Sequence, residues 1–290
     1  MNITYQLMTS LSFEEAHVLF NRGFEGYLMP MNLSLDTFIG RFGNEGLSPA
    51  LSIVAFDGAK PIGFVLQGIR EADGQKISWN GGTGIVPEYR GKKLGNGLME
   101  AAESVLREHH VSTATLEALS ENKAAIALYE KCGYQVVDDL LFLRGNGILD
   151  AQLPDLEGYE LQRIPAVQSI GSNLFPSMVP WQTDSSNTPK AGGEVVLITT
   201  NGEVEAACLI RKKQVFGKDA EGITLFQVRE NGNDGALSKL LAHALEYDRP
   251  ITRTTYNFLK GNGRVVSCLL ALGFENTSVS QVFMTKSFGI

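Results

Sequence analysis

The sequence predicts a mixed α/β fold, an α+β sheet protein, built twice in tandem. Three observations carry that expectation. Hairpin-forming runs open each half, and a strand–helix–strand unit follows them. Landmark residues recur 140 positions apart: Gly95 and Gly235, Asn122 and Asn262, Gly133 and Gly273, Tyr134 and Phe274. Four positions in one register, with matching strand and helix order, indicate duplication of one fold. The 290 residues, 43% of them hydrophobic, suffice for two packed domains of ordinary size.

Taken in order, residues 3–8 form a short β-prone run. Ser12-Phe13-Glu14-Glu15 is a capping box that opens a helix to about Phe20, and Ser34 is a second N-cap. Residues 52–56 and 62–67 are strands joined through Asp57-Gly58, a hairpin signal. Residues 76–86 form another strand, which Gly81, Gly82 and Gly84 either weaken or bend into a bulge. A helix from about Leu94 to His109, a strand over 112–118 and a helix capped by Ser120 through Lys131 follow. Gly133 ends that helix, and 134–137 and 140–143 are strands. The stretch 145–158 holds Gly, Asn, Asp and Pro with little periodicity, and within it residues 148–157 are expected to link domains 1–147 and 158–290. The second series has strands at 159–164, 194–200, 203–211, 223–228, 251–258 and 278–285. Its helices lie at 166–174, 236–246 and 264–272, and Asn201-Gly202 marks its hairpin.

The totals exclude several classes. No run of 18 apolar residues is present, so no membrane span is expected, and the N-terminus lacks a secretory pattern. Cys132, Cys208 and Cys268 are too scattered for a disulfide framework or a metal site, which fits a reducing cytoplasm. The formal net charge is −7, and the first 150 residues carry 12 Lys+Arg against 18 Asp+Glu. A nucleic-acid partner needs a basic face, so none is expected. Arg90, Lys92 and Lys93 stand out within this acidic half as a local anion site.

That site is the stretch Val86-Pro87-Glu88-Tyr89-Arg90-Gly91-Lys92-Lys93-Leu94-Gly95-Asn96-Gly97. A strand ending at a glycine turn and re-emerging as a helix aims several unpaired backbone N–H groups at one point. Those donors and the positive end of the helix dipole favour a bound diphosphate. The second half has Glu230-Asn231-Gly232-Asn233-Asp234 at the same place, where carboxylates repel phosphate, and Leu269 where the first half has Tyr129. The second half is therefore expected to be structural, or a wall of the substrate site.

With both motifs in view, the first half resembles the GNAT superfamily of N-acetyltransferases. The Arg90 to Gly95 loop after Val86-Pro87 matches the family's central motif, with Lys93 where the family usually has Gly. Asn122, Ala125, Leu128, Tyr129, Gly133 and Tyr134 match its second motif. The resemblance implies two tandem acyl-CoA N-acyltransferase-like (GNAT) domains, the second degenerate. It implies acetyl-CoA as co-substrate and transfer of its acetyl group to the primary amine of a small acceptor, in a ternary complex. The diphosphate would lie on the N–H groups of Arg90, Gly91, Lys92, Lys93, Leu94, Gly95 and Asn96, and Asn122 would belong to the cofactor site. The pantetheine arm would pair with Ile85 and Val86 where the family's parallel strands splay apart, Gly84 permitting the bulge, and the Val86 N–H or a neighbour would polarise the thioester carbonyl.

The reaction needs a neutral amine, an oxyanion donor and a proton for the departing thiolate. Tyr129 is the candidate acid; a tyrosine at helical spacing is otherwise a core residue. Residues 76–86 contain no carboxylate for the base role. Glu117 is the best substitute, and a water chain fits equally. Among Phe20, Phe24, Tyr27, Met29, Met31 and Phe38, most are expected in the core, and Tyr27 is the residue expected to touch the acceptor. Two rival readings remain. Gly91, Gly95 and Gly97, with Glu117 about 20 residues on, mimic a dinucleotide fingerprint. A protein that binds acyl-CoA as a sensor or scaffold, without turnover, would keep the loop and lose the base.

Overall fold

The computed structural model describes residues 1–187, 192–213 and 221–289. Two compact units emerge, Met1–Val137 with Val282–Ile290, and Asp138–Gln281.

The first unit contains β1 (Ile3–Leu7), α1 (Phe13–Gly23), α2 (Leu35–Asn44), β2 (Ile53–Asp57), β3 (Lys60–Ala72) and β4 (Gln75–Ile85). It continues with α3 (Leu94–Glu108), β5 (Thr113–Leu119), α4 (Lys123–Lys131) and the start of β6 (Gln135–Gly145). Its sheet runs β1-β2-β3-β4-β5, antiparallel as far as β4 and parallel from β4 to β5. Ser12 and Glu15 form the expected capping box, Ser12 Oγ accepting from Glu15 N at 3.2 Å and Glu15 Oε2 from Ser12 N at 2.8 Å. β3 is buried on both faces because helices cover each side. Phe64 meets Phe20 of α1 at 5.6 Å between ring centroids, and Phe20 meets Phe38 of α2 at 5.3 Å. On the other face Gln67 donates to the Ala102 carbonyl of α3 at 3.3 Å. Phe20 and Phe38 are thus core, as the sequence leads one to expect.

The second unit completes β6 and adds β7 (Glu160–Pro165), β8 (Glu194–Thr200), β9 (Glu203–Lys213) and β10 (Gly222–Glu230). After these come α5 (Asp234–Ala244), β11 (Thr252–Thr255), β12 (Phe258–Leu259), α6 (Gly263–Ala271) and β13 (Glu275–Ser287). Strands β7-β8-β9-β10-β11 repeat the first sheet's order, again with one parallel pair, β10 with β11. The closing strands are exchanged. Residues of β6 beyond Val137 pair with β11 in the second unit, Arg253 opposite Gly145. The end of β13 joins the first unit, where Phe288 N donates to Ser112 O at 2.8 Å and Lys286 pairs with Glu103 at 2.6 Å. The contact boundaries therefore fall inside two strands, at 137 and 281, whereas the linker over 148–157 is irregular chain within the second unit.

Four local expectations differ from what forms. The helix expected over 166–174 is a single 3-10 turn, Ala166–Ser169. Ser169 and Ser172 hydroxyls bond back to the carbonyls of Ala166 and Ser169, and Gly171 and Asn173 take φ of 76° and 55°, which ends any helix. The strand over 251–258 breaks into β11 and β12 at Asn257, φ 44°. Asn122, not Ser120, caps α4, its side chain accepting from Ala125 N at 3.1 Å. Residues 134–137 and 140–143 lie in one strand, β6. Among the described residues no helix is long and apolar enough to cross a membrane.

Candidate active site

The loop between β4 and α3 forms as its sequence dictates. Pro87–Tyr89 is a 3-10 turn after the strand end, with proline at its first position. Gly91 takes φ 73° and Lys93 φ 61°, ψ 20°, so two left-handed residues flank Lys92. Such a turn curls successive N–H groups toward one centre. Among the described residues, the N–H groups of Gly91, Lys92, Lys93, Leu94, Gly95 and Asn96 have no backbone or side-chain acceptor. The space beside Gly91 is open, with no atom within 4 Å of where a Cβ would stand. Lys92 lies over the Tyr89 ring at 4.6 Å, and Tyr89 donates to Asp57 at 3.0 Å. A Cβ on Gly95 would meet Leu128 of α4 at 2.8 Å, so this glycine sets how closely α3 and α4 pack.

Arg90 has a different place from the rest of the loop. Its N–H bonds to Pro87 O at 3.2 Å. Its guanidinium donates to Ile85 O at 2.9 Å, Gly23 O at 3.0 Å and Glu25 O at 2.7 Å. The side chain thus ties the loop to the end of α1 rather than pointing at the open N–H groups.

Beside the loop the sheet opens. β4 and β5 pair only from Ile77–Thr113 to Asn80–Leu116, although β4 continues to Ile85 and β5 to Leu119. The β3–β4 register shifts between Asn80 and Gly82, which leaves Gly81 as the extra residue. The bulge is therefore at Gly81 and not at Gly84. Asn80 holds it by accepting from Gly82 N at 3.0 Å. Gly84 serves close packing instead: a Cβ there would meet the Phe64 ring at 2.6 Å and Gly23 Cα at 3.2 Å. Val86 N donates to Ile62 O at 2.9 Å, so its N–H is engaged within the sheet. By antiparallel alternation the N–H groups of Thr83 and Ile85 face away from β3, toward the gap. The Ile85 carbonyl is the one Arg90 occupies.

Tyr129 reaches this opening from α4 and is 8% exposed. Burial pushes its pKa up to about 12, the nearby Thr83 hydroxyl pulls the other way, and Tyr27 adds to the rise. The phenol therefore keeps its proton throughout the neutral range. Tyr27 packs edge-on against Phe24 with centroids 5.1 Å apart. Phe24, Tyr27, Met29 and Met31 line an open pocket of about 390 Å³. Glu117 is half-buried on β5, its carboxylate accepting from the Trp79 indole at 2.6 Å. The Asn122 side-chain oxygen caps α4. Asn80 and Thr83 were not singled out by the sequence; the signal was an Asn ahead of two glycines inside a strand, the pattern of a side chain pinning a bulge.

The corresponding loop of the second unit is closed by its own side chains. Asn233 accepts from Ala236 N at 3.1 Å, Asn231 from Asn233 N at 3.2 Å, and Glu230 from Gly232 N. Arg264 pairs with Glu230 at 2.7 Å and with Asp234. The β10–β11 pairing ends at Leu225–Thr255, a bulge follows at Phe226, and the chain's own segment 179–184 is bound there. Gln227 donates to Thr183 O at 2.8 Å and Tyr256 to Gln182 at 2.7 Å, while Trp181 is 1% exposed. A cavity of about 40 Å³ is left. Leu269 is fully buried where the first unit has Tyr129.

Residues 15–134 match the model of the Acetyltransferase (GNAT) family. An acetyltransferase of Sodalis glossinidius (strain morsitans) is 32% identical over 69 residues, 24% of this chain and 48% of that protein, so the match spans about half that relative's length. A tandem GNAT protein from the clavulanic acid biosynthesis pathway aligns over 100% of this chain and 99% of its own, with TM-score 0.61 at 14% identity. A GCN5-related N-acetyltransferase from Sphaerobacter thermophilus aligns over 99% and 97%, with TM-score 0.63 at 16% identity. At such identities the structural likeness is one of fold. Residues 15–134, which carry both motifs and the open loop, belong to the GNAT acetyltransferase family, and the whole chain has the tandem GNAT fold.

Proposed function

We propose that the first unit moves the acetyl group of acetyl-CoA to the primary amine of a small acceptor, by direct attack in a ternary complex. One juxtaposition supports this reading: unpaired N–H groups at the start of α3, the gap between β4 and β5, and the buried Tyr129 phenol at that gap. The diphosphate lies on the N–H groups of Gly91 to Asn96, with Lys92 and Lys93 adding charge. Arg90 acts through the shape of the loop, and Asn122 through the start of α4. The pantetheine arm runs along the open edge of β4. The N–H at Ile85, rather than that of Val86, is the free donor for the oxyanion. The amine nitrogen bonds to the thioester carbon as the C–S bond breaks, and Tyr129 protonates the departing thiolate. Glu117 receives the amine's proton, directly or through water, held in orientation by Trp79. Tyr27 stands between the acceptor pocket and Tyr129.

The test begins with the melting temperature in acetyl-CoA, CoA or NAD, followed by thiol release with a panel of amines. Acetyl-CoA should stabilise the chain, NAD should not, and at least one amine should release CoA. Stabilisation without release from any amine leaves an acyl-CoA sensor; a shift with NAD alone overturns the reading.

A further inference from the structure

Three polar side chains meet at the β4–β5 gap, and none of them is charged. Asn80 is 7% exposed and uses its oxygen to hold the bulge through Gly82 N at 3.0 Å. Its amide Nδ2 donates to Thr83 Oγ1 at 2.8 Å. A hydroxyl that accepts from Asn80 has its own hydrogen to give. Thr83 Oγ1 also reaches Asn80 Oδ1 at 3.2 Å, as donor to an oxygen that already accepts from Gly82 N, and it stands beside the Tyr129 phenol, so its hydrogen has two acceptors within reach. Met99 closes the cluster, its sulfur 3.8 Å from Asn80 Nδ2. The titratable neighbours of the phenol are Tyr27 and Cys132, with the Tyr134 ring 6.0 Å away.

The second unit supplies an internal control. Its last parallel pair, before its own one-residue bulge, places Leu225 where the first unit has Asn80. Two residues past the bulge, Val228 stands where Thr83 does. With Leu269 at the place of Tyr129, all three polar positions are apolar there at once. A residue needed only to pin a bulge need not vanish together with a phenol on another element.

We infer that Asn80 and Thr83 are positioning residues: a one-way donor chain, Asn80 Nδ2–H to Thr83 Oγ–H to Tyr129 Oη, that aims the phenol hydrogen at the departing thiolate. This rests on the acetyl-transfer reading of the same cleft. Thr83 keeps its own hydrogen throughout. When the C–S bond breaks, the Tyr129 proton passes to sulfur, and Thr83 donates a hydrogen bond to the phenolate left behind. Solvent restores the phenol proton, and the proton lost by the amine leaves through the base.

Thr83→Val and Thr83→Ser, measured together, test the chain. The Val variant should lower kcat about 3- to 10-fold, the worth of one hydrogen bond made in the transition state, with KM for acetyl-CoA unchanged within about twofold. The Ser variant should restore kcat to within about twofold. Difluorotyrosine placed at position 129 gives a readout without turnover. Its ionisation, followed by fluorine NMR, should move up by about half to one pH unit in Thr83→Val and stay put in Thr83→Ser. Asn80→Asp keeps the acceptor for Gly82 but removes the donor to Thr83, and it should match Thr83→Val if that variant folds poorly. Equal kcat in wild type and Thr83→Val, a Ser variant as slow as the Val variant, or an unmoved fluorophenol titration overturns the proposal. If no amine releases thiol from the wild type, the acetyl-transfer reading falls while the titration still scores the chain.

Discussion

The two strand-to-helix loops of this chain share a fold and differ in what satisfies their backbone. In the first unit the N–H groups from Gly91 to Asn96 have no acceptor among the described residues. In the second, Asn231 and Asn233 fill the same role with their own side-chain oxygens, and Glu230 and Asp234 pair with Arg264. A side-chain cap stabilises a helix start by roughly 1 kcal/mol, so the first loop forgoes stability that the second retains. The gaps beside the loops differ in the same sense, open next to Tyr129 and occupied by residues 179–184 in the second unit. A duplicated fold can thus keep its sheet while one copy leaves its loop N–H groups without protein acceptors and the other caps them internally.

The largest expected effect concerns Tyr129. Tyr129→Phe should lower kcat by about 10²-fold or more while KM for acetyl-CoA changes little, measured by CoA release. The reciprocal Leu269→Tyr should add no activity. Because burial holds the phenol at about 12, kcat should not fall between pH 8 and pH 10 through loss of this acid. The sign for stability follows from linkage. The folded value lies above the unfolded one near 10, so below about pH 10 this group's contribution is fully present and stability does not vary with pH through it. From there to about 12 the unfolded chain ionises first and stability falls, by on the order of 2–3 kcal/mol if the phenol stays fully buried. The phenylalanine variant should lose less over that window, by urea unfolding at each pH.

Next in size is the number of sites. Calorimetric titration should give one acyl-CoA per chain. Lys92→Glu combined with Lys93→Glu should weaken binding by about 10-fold or more at low salt, the charge effect fading as salt rises. Glu230→Gln, in the second loop, should leave affinity unchanged. Two bound molecules, or equal sensitivity of both loops, would erase the contrast between the units.

How much of this contrast the sequence carried can be traced residue by residue. The loop glycines, the capping box and the 140-residue repeat are local signals, and the elements they specify form where expected. Charge alone distinguished Arg90-Gly91-Lys92-Lys93 from Glu230-Asn231-Gly232-Asn233. The role of Arg90 was not legible, because its acceptors, Gly23 O and Glu25 O, lie more than 60 residues away. Val86 N–H is engaged by Ile62, a pairing set by strand register rather than composition. The exchange of β6 and β13 was equally hidden, since nothing local records which sheet a strand joins. Asn80 and Thr83 gain meaning only when the β4–β5 gap is seen.

Arg90 offers a smaller but sharper test. Arg90→Ala removes three side-chain bonds to carbonyls, of Ile85 at the end of β4, Gly23 at the end of α1 and Glu25 just beyond it. Two of them are exposed and the one to Gly23 O is part-buried, so the expected loss is about 1–2 kcal/mol of stability. If Arg90 held the diphosphate by charge, Arg90→Ala would weaken CoA and dephospho-CoA binding without changing the melting temperature of the free chain. A melting temperature lowered in the absence of ligand identifies the latch.

The smallest effect is at Lys93, and it separates backbone from charge within one residue. A lysine at φ 61° carries left-handed strain of about 1–2 kcal/mol that glycine does not. Glycine also gives the unfolded chain more freedom, which takes back about 0.5–1 kcal/mol. Lys93→Gly should therefore stabilise the free chain slightly, by about 0.5 kcal/mol, and preserve the N–H cradle. The second loop has no matching strain to release, since Asn233 starts α5 from an extended φ of −86°. If Lys93→Gly weakens acetyl-CoA binding despite raising the melting temperature, the lysine contributes charge to the diphosphate. If binding is unchanged, the cradle depends on its backbone alone, and the side chain at 93 matters only through the conformation it tolerates.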